Sequence, residues 1–190
     1  MAGSRQQGSG GQAGRAAAIA RLLQEESSQL LHFYTERESL PVSAAPGGQL
    51  VVLPPLGAAL SPAERLCFLH AALSECRRLL DEAVKREDAE FSPEEQYRTQ
   101  RRTVLDRLDH LLHSTEPLLQ DGKRCAASVA EIPDAVDGGV FALKKWILQV
   151  LQDIVHWSSQ TSEVLQTLPV EKSARRTRRA ARRHQPRLRK

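Results

Sequence analysis

Residues 83–97 read AVKREDAEFSPEEQY, and this short stretch decides how the chain is arranged. Helix formers run up to about Arg86. Ser92-Pro93-Glu94-Glu95 then gives a helix start signal: a hydroxyl cap, a proline in the first turn and an acid folding back three residues on. Only about five residues lie between, so two long helices joined here must be antiparallel neighbours.

Working outward, the same signal opens the upstream helix at Ser61-Pro62-Ala63-Glu64. Leu66, Leu69, Leu73, Cys76, Leu80 and Ala83 follow at three- and four-residue spacing, the mark of one buried helical face. Downstream, Tyr97, Val104, Leu105, Leu108, Leu111, Leu112 and Leu119 form the matching face, with Phe91 placed to staple it. A first helix is expected over 14–38, with Ile19, Leu22, Leu23, Leu30, Phe33 and Tyr34 inward. A fourth is expected over 138–168, capped by Asp137, with Ile147, Leu151, Ile154 and Val155 inward. Trp146 and Trp157, three turns apart on that helix, read as packing residues.

Each helix would be roughly 40 Å long. The connections at 39–60 and 121–137 can span about 70 and 55 Å when extended, enough to run the length of a helix. Two long crossovers around one short hairpin give an all-α four-helix bundle of up-up-down-down order. The expected organisation is a disordered N-terminus over 1–13, the bundle over 14–170 and a disordered basic tail over 171–190.

The charge is divided. The chain carries +4, but its last twenty residues hold ten Lys/Arg and one Glu, a net +9, which leaves −5 on the rest. Such a tail buries nothing and acts as an interaction segment. Arg175, Arg176, Arg178, Arg179, Arg182 and Arg183 suit heparan sulfate or another polyanion. The same run also fits a nuclear address, nucleic-acid contact or simple solubilisation, and Arg176–Arg179 (RTRR) fits a basic-protease site.

No apolar run reaches the roughly 20 residues of a membrane helix. The first one, Ala16–Ala20, is too short for a signal-peptide core of about 7–15 residues. Cys67 and Cys76 sit on opposite faces of one expected helix, out of disulfide reach, so the three cysteines read as free thiols in a reducing compartment. The chain contains no GxSxG, HExxH, GxxxxGK[ST] or CxxC. His110 and His113, beside Asp106 and Asp109, read as a charged surface rather than a metal site. The pattern is that of a binding protein without cofactor, not an enzyme.

The stretch DGGVFALKKWILQVLQDIVHW (137–157), with IARLLQ and SSQLLHFYTERESL in the first helix and LSPAERL at 60–66, resembles the interleukin-6-type long-chain helical cytokines. Within them it is most similar to the ciliary neurotrophic factor branch, with the cardiotrophins as neighbours. The resemblance spans about residues 15–168. It implies a monomeric ligand that clusters glycoprotein 130 with the leukaemia inhibitory factor receptor and so drives JAK/STAT signalling. It also implies cytoplasmic storage and unconventional release. The family's Phe-x-x-Lys motif, which binds the leukaemia inhibitory factor receptor, falls on Phe141 and Lys144. The α-receptor epitope would fall on Arg21, Gln24, Glu163 and Gln166, where only Arg21 keeps the branch's basic character, so the α-receptor is either different or dispensed with.

On residue pattern alone Phe141 is either a core side chain or a contact surface. Val140 and Leu143 are expected to supply core contacts in its place. Lys144, one turn on, is expected to cover the Phe141 ring with its alkyl stem. Gly138 and Gly139 are expected to keep bulk away from the helix start. The competing class is an intracellular helical scaffold or nuclear protein whose tail binds nucleic acid.

Overall fold

The computed structural model describes residues 9–41, 48–56, 59–119, 125–130 and 135–168, without the side chains of 9–10 and 135–138. In chain order these form α1 (Ser9–Glu38), β1 (Val51–Val52), α2 (Pro62–Glu90), α3 (Glu95–Thr115), a 3-10 turn (Glu116–Leu118), β2 (Ser128–Val129) and α4 (Ala135–Thr167). The fold is all-α in its mass, with one shared core. Leu23, Leu30 and Tyr34 of α1, Leu66, Leu73 and Leu80 of α2, Leu108 and Leu111 of α3, and Trp146, Leu151 and Ile154 of α4 all bury there. Each of α1 and α2 packs against both α3 and α4.

At one end of the molecule the last turns of α1 and α2 meet the first turns of α3 and α4. Arg37 and Arg101 both reach Glu87, and the Tyr34 hydroxyl donates to the Lys144 carbonyl at 3.1 Å. At the other end His70, early in α2, lies 2.9 Å from the Thr115 hydroxyl at the close of α3.

The start of α2 is as expected: Glu64 N–H donates to Ser61 Oγ, and Ser61 N–H donates back to Glu64 Oε2. The start of α3 is not. The helix begins at Glu95 with no side-chain cap, and Pro93 is buried in the turn instead of opening a helix. Part of the reason is that α2 continues one turn further than expected, to Glu90, leaving only 91–94 to reverse the chain. Likewise α3 ends at Thr115, and the segment toward Leu119 becomes a 3-10 turn holding Pro117.

α1 begins at Ser9, so residues 9–13 belong to it and not to a disordered N-terminus. Ala13, Ala16, Ala17 and Ala20 form a small-residue stripe that buries, and this draws the Gly-rich approach into the helix. Leu22, expected inside, is 43% exposed, because the inward row runs through Ala20, Leu23, Ser27 and Leu30. Trp146 and Trp157 are buried, as packing residues should be.

The cysteines need the clearest correction. Cys67, in the second turn of α2, is disulfide-bonded to Cys125, with Cα atoms 5.7 Å apart, and only Cys76 is free, buried in the core. The two partners lie 58 residues apart in sequence, and tertiary packing alone brings them together. Three residues beyond Cys125, β2 pairs antiparallel with β1 through Val51↔Val129 and Val52↔Ser128. The Asp153 carboxylate of α4 anchors this ribbon by accepting the Val51 N–H at 2.7 Å.

Candidate functional site

The site grows from a break at the head of α4. Gly139 has φ 60° and ψ −168°, a backbone region open essentially only to glycine, and it parts residues 135–138 from the helix proper. A Cβ built there would meet nothing within 4 Å, so the glycine serves the kink and not a tight internal contact. Gly138 and the expected Asp137 cap lie outside the described side chains.

Directly after the kink, helical spacing sorts the residues. Trp146, Ile147 and Val150 bury, and Leu143 packs against the core. Phe141 falls on the opposite side and stands 57% exposed. Val140, expected to be core, is also turned outward at 45% exposure, since the kink points it away from the bundle.

The two lysines differ from expectation. Lys145, four residues on from Phe141, places its Nζ 4.5 Å from the ring centroid. Lys144 is directed elsewhere: its Nζ pairs with Glu38 of α1 at 2.5 Å and lies 5.5 Å from the Phe91 ring centroid. The Phe141 ring is thus covered by Lys145, not by the stem of Lys144. Glu38 explains the difference, being a largely buried carboxylate at the end of α1 that draws the nearest ammonium. Burial alone would raise the Glu38 carboxyl, but hydrogen bonds from Lys144 and Arg37 outweigh it and hold it below its ordinary value.

Behind Glu38 a chain of charge crosses the bundle end. Arg37 links Glu38 to Glu87, Glu87 links Arg37 to Arg101, and Arg101 reaches Asp88 at 2.7 Å. Aromatic rings brace it. Arg37 and Arg101 lie 4.0 and 4.9 Å from the Tyr97 centroid, and Phe33 and Tyr34 stack against the same ring. Lys144 therefore ties the head of α4 into a network shared by all four helices. Sequence reasoning passed over this network, but the signal was present. Glu87 continues the α2 stripe four residues after Ala83, and Arg101 sits between Tyr97 and Val104 in the α3 stripe.

The other expected positions are dispersed. Arg21, Glu163 and Gln166 are exposed and Gln24 is half-buried. Helix rise puts Arg21 and Glu163 roughly 20–30 Å along their helices from the Tyr34–Lys144 contact, away from Phe141. Gln166 Nε2 donates to Ser162 on its own helix. The tail residues Arg175, Arg176, Arg178, Arg179, Arg182 and Arg183 lie outside the described residues. Asp109, near His110 and His113, pairs with Arg77 at 2.9 Å. Among the described residues no three His, Cys, Asp or Glu side chains gather as a metal site, and no helix is long and apolar enough to cross a membrane.

No protein-family model matches the chain, and no curated protein is significantly similar to it in sequence.

Proposed function

We propose that the chain is a long-chain helical cytokine of the interleukin-6 type, with up-up-down-down helices and two crossover connections. Within that class it falls nearest the ciliary neurotrophic factor branch, with the cardiotrophins as neighbours. It acts by binding, not catalysis. It brings glycoprotein 130 and the leukaemia inhibitory factor receptor together, with or without an α-receptor, and so activates JAK/STAT signalling.

One observation carries this reading: Phe141 is held out in water at the head of a helix, on a kink open to approach, beside a cation. A rigid aromatic ring presented in this way suits a partner's pocket, where it loses little rotamer freedom. An intracellular scaffold gains nothing from that exposure. The connectivity is supported by the ends that meet: the last turns of α1 and α2 with the first turns of α3 and α4. Action outside the cell is supported by the Cys67–Cys125 disulfide, which persists in oxidising media; prior storage in the cytoplasm rests on the resemblance alone. The basic tail holds the ligand on heparan sulfate.

The test applies purified protein to cells bearing both receptors and reads receptor and STAT phosphorylation. Wild type should signal. Phe141→Ala should weaken potency by about 30-fold or more, the loss expected of an anchor contributing about 2 kcal/mol. Its melting temperature should stay near that of wild type. Absence of phosphorylation, with or without a soluble α-receptor, overturns the reading.

A further inference from the structure

We infer that the Cys67–Cys125 disulfide is a thiol-exchange site. A low-molecular-weight peptide thiol of the glutathione class opens it in the folded protein and is left joined to Cys125, with His70 as the base. The exchange does not depend on what the ligand binds, and it stands apart from the receptor reading.

The disulfide does not lie sealed in the bundle. Among the described residues, Cys67, His70 and Ser74 of α2, with Leu119, Cys125 and Ala126, line an open cleft of about 420 Å³. Small-molecule sites typically have volumes of roughly 300–1,000 Å³, so a short peptide thiol fits. The two half-cystines differ in access: Cys67 is buried in α2, whereas Cys125 is half-buried. Exchange proceeds by attack of a thiolate on one sulfur with the other as leaving group, and access helps to choose between them. Attack therefore falls on Cys125. Cys76, enclosed in the core, takes no part.

His70 follows Cys67 by three residues, so the two share a face of α2. The Thr115 hydroxyl gives its hydrogen to the Leu111 carbonyl at 2.9 Å. In the 2.9 Å contact between His70 Nδ1 and that hydroxyl, Nδ1 is then the donor. Nε2 is left with its lone pair. Burial pushes the imidazole below its ordinary value, against the raising effect of Glu116, so the ring is neutral at pH 7 and open to a proton.

The steps balance as follows. Nε2 takes the proton of the incoming thiol, and the thiolate attacks Cys125 Sγ. The Sγ–Sγ bond breaks and its electron pair leaves on Cys67, which receives the proton back from His70. A second thiol molecule then attacks the sulfur of the first. The mixed disulfide breaks, Cys125 leaves with the proton that the second thiol lost, and two thiols have become one disulfide. What the fold loses is the covalent tie between α2 and the segment carrying β2. That segment stays on β1 through Val51↔Val129, Val52↔Ser128 and the Ala130 N–H, which donates to the Leu50 carbonyl at 2.8 Å. Asp153 in turn keeps β1 on α4.

The experiment incubates the native full-length protein with reduced glutathione, stops the reaction with acid and alkylates the free thiols in denaturant before peptide mapping. The trapped intermediate should carry glutathione on Cys125 and alkyl groups on Cys67 and Cys76. The rate should stay flat across urea concentrations below the unfolding transition. Exchange that waits on global unfolding would instead climb with the unfolded fraction, and would run about 10³-fold or more slower in water than in the unfolded chain. Such a climb, or glutathione found on Cys67, overturns the inference.

A second arm isolates the base. His70→Gln should slow exchange with glutathione by about tenfold or more. It should leave reduction by a water-soluble phosphine unchanged, because a phosphine attacks the same sulfur with no proton to lose. Equal slowing of both reagents would make His70 a structural part of the cleft, and an unaltered glutathione rate would remove it altogether. Either result overturns its role as the base.

Discussion

Arg101 Nη1 lies 2.7 Å from Glu87 Oε2, and the two side chains are only 4% and 2% exposed. Arg37 takes the other carboxylate oxygen, so a single acid joins α1, α2 and α3. Removing one partner from a buried pair leaves charge uncompensated and typically costs about 3–5 kcal/mol. Here Glu38 and Asp88 still hold the two guanidiniums, so Glu87→Ala should lie near the lower end, about 3 kcal/mol by urea unfolding. A loss below about 1 kcal/mol would mean the network adds no more than a surface pair does.

Asp153 should make stability depend on pH in an unusual direction. Burial pushes its carboxyl up to about 6, against the lowering effect of the Val51 and Leu50 N–H groups. The unfolded chain releases this proton near pH 3.9, so the folded state binds it more tightly. Its stabilising share is complete below about pH 4 and is lost as pH rises through about 6, a change on the order of 1–3 kcal/mol. Asp153→Asn keeps an acceptor for Val51 and carries no charge. Melts of the two proteins at pH 4 and pH 7 check this: the variant's advantage should appear only at the higher pH. An equal advantage at both would remove Asp153 as the titrating group.

The Cys67–Cys125 bond closes a loop of 58 residues. Chain-entropy reasoning assigns such a link about 4 kcal/mol. For a protein of this size that corresponds to a fall in melting temperature on the order of 10 °C upon reduction or Cys67→Ser/Cys125→Ser substitution. Cys76, enclosed in the core with burial pushing its thiol up, should resist alkylation until the chain unfolds. Thiol counting by mass spectrometry checks both points: without reductant, one reactive cysteine should appear after denaturation. Three would contradict the disulfide.

Truncation at residue 170 removes nine net positive charges. Retention on heparin should drop to low salt, because the remaining chain is net acidic. Signalling in solution should persist, since Phe141 and its supporting network lie within the helices. Elution at unchanged salt would place the polyanion site elsewhere.

What the sequence by itself determined was local in origin, although the local start signal at Ser92 did not cap α3. Four long helices were legible because apolar residues recur every three or four positions, and the Ser61 capping box because its two partners are three residues apart. Residue pattern alone left Phe141 between core and surface, and the structure decided for the surface. The tertiary structure alone decided the contacts between distant segments. Cys67 meets Cys125 across 58 residues, and strands of two residues are too short to show any periodicity before β1 and β2 pair. The choice of Lys144 over Lys145 for Glu38 was hidden for the same reason. Both lysines stand within one turn of Phe141, so their order along the chain cannot separate them. Only the approach of α1, which carries a buried carboxylate to the head of α4, decides which lysine is drawn inward and which remains beside the ring.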